Sequence, residues 1–157
     1  MVVHSFYIFN RNCECVHSQK WQHYHQQPKE LSEEEEQKLI FGVVFSIKGL
    51  VKKIAGEWVN SLMIEIHRSL SHHSASEQFQ SFKTSRYRLH VYESPSGFKF
   101  VLITDQNTTN MSSYLQAIYA GPFNSAVVRN PLVSVADGVL STDKLRREVE
   151  LVVRSIR

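Results

Sequence analysis

Hydrophobic and polar residues alternate through the segment 79–105, and this pattern predicts three consecutive antiparallel strands. The middle strand carries Tyr87, Leu89 and Val91 on one face and Arg88, His90 and Tyr92 on the other, which is typical of a half-buried strand. A turn is predicted at 94–97, where Pro95 and Gly97 favour turn conformations. In the strand that follows, Phe98, Phe100 and Leu102 lie opposite Val101 and Ile103. Because both of its faces are apolar, we expect that strand at the centre of a sheet.

The N-terminus predicts a β-hairpin. Residues 2–10 are expected to form the first strand, with Phe6 and Ile8 on one face and Val3, Tyr7 and Phe9 on the other. Turn-forming residues occupy 10–12, and residues 13–21 are expected to return as the second strand. The first strand is also apolar on both faces, so it is predicted to be central as well.

A long amphipathic helix is predicted after Ser32, whose spacing from Glu35 resembles a capping box. At 100° per residue its apolar core face spans about 140°, and it consists of Leu39, Ile40, Val43, Val44, Ile47, Leu50, Val51 and Ile54. Phe41 and Phe45 lie outside this arc, beside Lys48 and Lys52. We predict that these four residues form a subunit interface. The alternative is a pair of surface aromatics covered by the stems of the two lysines.

The C-terminal third predicts further helices. Residues 111–130 have a helical pattern around Tyr114, Leu115, Ile118 and Tyr119, and the Gly121-Pro122 pair predicts a kink or two shorter helices. A last helix is predicted over 141–157, with an apolar face made of Leu145, Val149, Val152, Val153 and Ile156. The order ββ-α-βββ-αα predicts a single α+β domain built on an antiparallel sheet.

Composition narrows the function classes. The 157 residues are 42% hydrophobic and 21% charged, which is ordinary for one globular domain. The 18 basic and 15 acidic side chains are scattered, so no nucleic acid partner is expected. The N-terminus lacks the features of a cleavable leader and no apolar run approaches the length of a membrane span, so we expect a cytoplasmic protein with at most a peripheral membrane association.

Two cysteines occur, Cys13 and Cys15, and reduced thiols are the default for such neighbours. A metal site that also uses His4 and His17 is one alternative, although the spacing is not that of a zinc site. Palmitoylation of the hairpin is another. We predict no metal and no cofactor.

Catalytic motifs are absent from the sequence. It contains no phosphate-binding glycine loop, no H-E-x-x-H and no G-x-S-x-G. Asp105, at the end of the last predicted strand, is the most suggestive carboxylate, but a helix cap or loop anchor accounts for it equally. We therefore expect no enzyme, and predict that function resides in surfaces.

Four segments carry a resemblance to a known family. The opening YIFNRNCECVHSQKW, the helix EEEEQKLIFGVVFSIKGLVKKI, the meander FKTSRYRLHVYESPSGFKFVLITD and the later YLQAIYAGPFNSAVVRNP occur in this order in the sedlin-like (longin-like) subunits of the TRAPP vesicle-tethering complex. The chain resembles that family over most of its length, least clearly from Val133 onward.

The resemblance implies a longin-like (SNARE-like) five-stranded antiparallel sheet, with the first helix on one face and the C-terminal helices on the other. It implies a non-catalytic core subunit of the TRAPP complex in ER-to-Golgi transport, with other TRAPP subunits as direct partners. A Rab-family GTPase would be a partner through the assembled complex, which promotes nucleotide exchange. Localisation would be cytoplasmic and peripheral at the cis-Golgi and endoplasmic reticulum. The alternative is a longin-type domain of an adaptor small subunit or a SNARE.

The segment 56–78 departs from the family and is interpreted as an insertion. Its first part is compatible with a short amphipathic helix on Trp58, Leu62, Met63 and Ile66, and its second part is rich in serine and histidine. His67, His72 and His73 are candidate metal ligands, but this composition favours a polar surface loop.

Overall fold

The computed structural model describes residues 2–21, 32–66, 80–133, 140 and 142–156, with the backbone alone at 52, 54–66 and 156. The described residues contain five strands: β1 (Val3–Phe9), β2 (Cys15–Lys20), β3 (Ser81–Lys83), β4 (Tyr87–Glu93) and β5 (Lys99–Asp105). Helix α1 spans Glu33–Ile66, α2 spans Ser112–Ile118 and α3 spans Asp143–Ile156. The order of these elements confirms the predicted α+β fold.

The strands form one antiparallel sheet in the order β2-β1-β5-β4-β3. Strands β1 and β5 are interior, as their two apolar faces predicted. The turn at 94–97 is also confirmed, because Gly97 has a φ of 84° and its N–H donates to the Ser94 carbonyl at 2.9 Å. The second strand starts later than predicted: Cys13 lies in the preceding turn, with a φ of 69°.

One face of the sheet packs against the C-terminal helices, and a β-bulge decides which residues it contains. The pairing of β1 with β5 shifts between Val3 and Ser5. The shift brings Val3 onto the face of Phe6 and Ile8, where all three are fully buried in the main core. The prediction that Val3 lies opposite Phe6 is therefore wrong, because strict alternation fails where one extra residue enters a strand.

The prediction of a half-buried β4 is also wrong. His90 is buried on the face of the C-terminal helices, opposite Leu102 of β5, while Leu89 is buried on the other face. The second face of the sheet is mostly apolar, and its buried side chains are Ser5, Tyr7, Phe9, Leu89, Val91, Val101 and Ile103. A polar residue in an alternating strand marks a solvated face only when nothing else covers that face.

Pro122 changes the helical hydrogen bonding after α2 without ending the helix. A π-helical segment, Tyr119–Val128, follows α2 directly and contains Pro122. Proline has no N–H to donate to the carbonyl four residues earlier, so the regular α-helical ladder is interrupted there. At the end of the segment the Arg129 N–H donates to the Asn124 carbonyl, five residues earlier, at 2.9 Å.

Helix α3 closes the core. Leu145, Val149 and Val153 are fully buried, while Leu151 is 65% exposed. Thr142 caps the helix, since its hydroxyl accepts from the Leu145 N–H at 3.1 Å. Helix α3 also contacts the C-terminal end of β2. Its Glu150 carboxylate accepts hydrogen bonds from Gln19, at 3.1 Å, and from the indole N–H of Trp21.

The chain divides into two compact units, Met1–Glu33 with Gln80–Arg157, and Glu34–Phe79. Within the second unit α1 continues through Ile66, so the first part of 56–78 extends this helix instead of forming a separate short one. Residues 67–79, including His67, His72 and His73, lie outside the described residues. The interpretation of 56–78 as an insertion and the single-domain organisation stay predictions.

Candidate docking surface

The Cys15 thiol is poorly suited to nucleophilic or metal chemistry. Cys13 is exposed and Cys15 is half-buried, and both are free. The Cys15 thiol donates to the His17 carbonyl at 3.3 Å. Burial, with a contribution from the nearby Glu33 carboxylate, raises the pKa of Cys15 to about 11. The thiol is therefore protonated at neutral pH, and the thiolate is the form that attacks or binds metal.

His17 is a residue of the core. It is buried, and its ring meets Phe6 edge-on with 5.9 Å between the ring centroids. Burial, followed by the positive charge of Arg146, lowers the pKa of His17 to about 4. Within the described ranges, no three His, Cys, Asp or Glu side chains are close enough together to hold a metal ion.

A second buried histidine, His90, joins the sheet to the start of α2. Its Nε2 lies 3.0 Å from the Thr104 hydroxyl, and its Nδ1 accepts from the Met111 N–H at 3.4 Å. Burial and then the charge of Arg88 lower its pKa to about 4. The alternating pattern of β4 predicted a half-exposed face for His90 and gave no indication of this role. The only sequence signal for its burial was its position between two apolar residues, Leu89 and Val91.

Asp105 lies in the same region and anchors a loop. The Thr108 hydroxyl donates to its carboxylate, and this hydrogen bond is the main cause of a lowered Asp105 pKa. Arg88 extends the network, because its guanidinium donates to the Thr108 carbonyl at 2.8 Å and to the Ser81 hydroxyl at 3.1 Å. These contacts support the interpretation of Asp105 as a loop anchor.

The two buried histidines predict that the fold loses stability in mild acid. Both have a pKa of about 4 in the folded chain and about 6.5 when unfolded. The unfolded chain therefore binds more protons between these values, and stability falls as the pH is lowered from 6.5 to 4. The loss is at most about 3 kcal/mol for each histidine. Urea unfolding at a series of pH values measures it.

His90→Gln is the matched variant for this experiment. It removes one titrating group, so the pH dependence between 6.5 and 4 should decrease relative to the parent, and His17, together with His4, whose pKa burial also lowers, should account for what remains. An unfolding free energy that stays constant from pH 7 to pH 5 would contradict the prediction, since neither histidine would then be held neutral by the fold.

The four residues predicted to form an interface on helix α1 differ in their exposure. Phe41 and Phe45 stack on each other, with centroids 6.1 Å apart and ring planes at 23°. Phe45 is 65% exposed, but Phe41 and Lys48 are half-buried. The Lys52 side chain lies outside the described residues. Phe45 is thus the one member of the set whose side chain is shown to be largely accessible.

The predicted core arc of α1 is correspondingly displaced. Leu39 and Leu50, assigned to the core, are each 56% exposed, whereas Val44 is only 2% exposed. In helical projection Phe41 and Lys48 lie closer to Val44 than either leucine does. The face of α1 on which the large apolar residues are concentrated is therefore not the face that is buried. The aliphatic stem of a lysine can occupy a buried face as a leucine does.

A family comparison bears on what such an accessible surface does. Residues 3–156 match the model of the Sybindin-like family. The chain belongs to this family. The match covers nearly the whole length, including the part after Val133 where the sequence resemblance was least clear.

Curated relatives of the family align over almost the entire chain. The "Transport protein particle subunit bet5" of Schizosaccharomyces pombe is 30% identical, over 99% of this chain and 98% of its own. The "Trafficking protein particle complex subunit 1" of Rattus norvegicus is 34% identical, over 99% of this chain and 94% of its own. The human protein of the same name is 33% identical over the same shares. These names confirm the resemblance to TRAPP subunits, and specifically to subunit 1.

No helix in the described part of the chain combines the length and apolar character needed to cross a membrane.

Proposed function

We propose that this chain is a non-catalytic subunit of a TRAPP-type vesicle-tethering complex and that it works by binding other subunits of that complex. The observation that carries the proposal is the full-length similarity to proteins named as subunits of the transport or trafficking protein particle. Because the similarity extends over 99% of the chain, it supports a role shared by the whole domain instead of one shared local site.

The chemistry of the described residues supports a role without catalysis. The Cys15 thiol is protonated, His17 and His90 are neutral inside the core, and the Asp105 carboxylate accepts from Thr108. Each of these groups contacts the fold that surrounds it. A general base or nucleophile instead needs a suitable pKa and access to a substrate.

We further propose that the assembled complex, not this chain alone, promotes nucleotide exchange on a Rab-family GTPase. The physical mechanism is differential binding: a complex that prefers the nucleotide-free GTPase weakens nucleotide affinity through linkage. Under this proposal the protein is cytoplasmic and associates peripherally and indirectly with the cis-Golgi and endoplasmic reticulum. Nucleotide release from the GTPase, measured with the reassembled complex, tests the exchange role.

Phe45→Asp tests docking through α1. Because Phe45 is 65% exposed, the charge should leave the fold intact, but it would be buried if a partner covers this residue. We expect assembly with the co-expressed subunits of the particle to weaken by about 30-fold or more, the effect of losing an interface hot spot. Size-exclusion chromatography and a binding titration measure this.

Ser113→Asp, at an exposed position of α2, is the matched control and should assemble normally. Phe41→Asp is less informative, since Phe41 is half-buried and its replacement disturbs the fold. If the Phe45→Asp chain is folded and assembles with parental affinity, α1 does not dock through this residue.

A further inference from the structure

A serine followed by four glutamates stands at the start of helix α1. Ser32 directly precedes the helix, and the glutamates occupy positions 33–36. No other serine or threonine in the sequence has more than one acidic residue among the four positions that follow it. A capping box uses only Ser32 and Glu35. Carboxylates in a first turn complement the helix dipole, but like charges three residues apart, as at Glu33 and Glu36, also repel each other.

The segment is accessible on the surface. Ser32, Glu33, Glu34 and Glu35 are exposed. The first buried side chain of α1 is that of Val44, about three turns further along the helix. The serine hydroxyl and three of the four carboxylates that follow it therefore lie where an enzyme can reach them.

The first turn of α1 can open at low cost, which matters because protein kinases bind their substrates as extended segments. The Glu33 carboxylate accepts from the Ser18 hydroxyl at 2.8 Å, and the Glu34 carboxylate lies 3.7 Å from the Lys38 ammonium group. Both contacts are between exposed side chains, and such contacts contribute little to stability. Helix ends without buried side chains open locally far more often than the whole fold does.

We propose that Ser32 is phosphorylated by a protein kinase of the acid-directed class, whose substrate cleft is lined with basic residues. The four glutamates complement such a cleft, and charge complementarity raises both the encounter rate and the specificity. In the reaction the Ser32 Oγ attacks the terminal phosphorus of ATP bound with Mg²⁺. The bond from that phosphorus to the oxygen of ADP breaks, and the hydroxyl proton passes to the aspartate base of the kinase. The inference concerns a modification and does not depend on the proposed subunit function.

The modification changes the charge at one end of α1 and keeps the helix. A phosphoserine carries a charge of about −1.5 to −2 at neutral pH. The free N–H groups of the first turn and the helix dipole favour an anion at this position. The neighbouring glutamates oppose it by repulsion, so the two effects offset each other. Circular dichroism of the phosphorylated chain should therefore show the helix content of the parent.

Kinase treatment of the full chain tests the site. Incubation with an acid-directed casein kinase, ATP and Mg²⁺ should transfer one phosphoryl group, which tandem mass spectrometry should locate at Ser32. Ser32→Asn should not be phosphorylated, and it should stay folded because asparagine precedes a helix as favourably as serine does. Ser85→Ala is the matched control. Ser85 is exposed between β3 and β4 without an acidic neighbour, so its replacement should leave the transfer unchanged.

The double variant Glu34→Gln/Glu35→Gln tests recognition by charge. It keeps the hydroxyl and the shapes of the side chains but removes two of the four carboxylates. We expect the kcat/KM of the kinase for this chain to fall by about 10-fold or more, since two contacts with the basic cleft lose their charge. Glu14→Gln, at an exposed position of the N-terminal hairpin, is the control and should be phosphorylated at the parental rate.

The protein from its own cells provides the second sample. Isolated with phosphatases inhibited, it should contain a peptide that carries phosphate on Ser32. Absence of that phosphate from either sample, the cellular protein or the kinase reaction, would overturn the proposal. A double variant that is phosphorylated at the parental rate would overturn recognition by an acid-directed kinase.

Discussion

Val149→Asp is expected to unfold the unit formed by the sheet and the C-terminal helices. Val149 is fully buried on α3, between Leu145 and Val153 of the same helix face. An aspartate there leaves a charge without a partner in an apolar environment and removes the packing of the valine. We expect a loss of about 5 kcal/mol or more, comparable to the total stability of many domains.

Leu151→Asp is the matched control, since it makes a similar change two residues away on the same helix. Leu151 is 65% exposed, so its replacement should change stability by less than about 0.5 kcal/mol. Urea unfolding followed by circular dichroism measures both. Equal effects of the two variants would show that α3 does not bury the face that contains Val149.

Phe100→Ala is expected to have the second-largest effect. Phe100 is fully buried on interior strand β5. Its ring lies within 5.2 to 6.4 Å, centroid to centroid, of four aromatic rings, which are those of Phe6, Tyr92, Tyr119 and Phe123. Truncation leaves a cavity that both the sheet and the π-helical segment line. Substitutions of this kind cost about 3 to 5 kcal/mol.

Phe45→Ala provides the comparison for Phe100→Ala. It removes the same atoms from an exposed site and should cost less than about 1 kcal/mol in the isolated chain. The unfolding free energies of the two variants, fitted with the same dependence on urea concentration, decide the outcome. A loss below about 1 kcal/mol for Phe100→Ala would mean that the aromatic cluster can collapse into the vacated space.

The candidate surface was only partly predictable. The sequence placed both Phe41 and Phe45 outside the core arc of α1, and the structure leaves Phe45 exposed but Phe41 half-buried. It assigned Leu39 and Leu50 to the core on hydrophobicity alone, and the structure exposes them. Which side of an amphipathic helix is buried depends on its neighbours when apolar residues extend over more than half of its circumference.

The sequence by itself determined the element order, the turn at 94–97, the interior positions of β1 and β5, the apolar face of α3 and the family. These features depend on local conformational preferences and on periodicities that a linear pattern records directly. Only the tertiary structure decided the face of Val3, the burial of His90, the π-helical path past Pro122 and the accessible side of α1. The first three depend on contacts between the sheet and the C-terminal helices or on a one-residue shift in register. The hydrophobic period of a strand (two residues) or of a helix (3.6 residues) is unchanged in the sequence at such a shift. In the folded chain, however, the side chains that follow the shift lie on a different face.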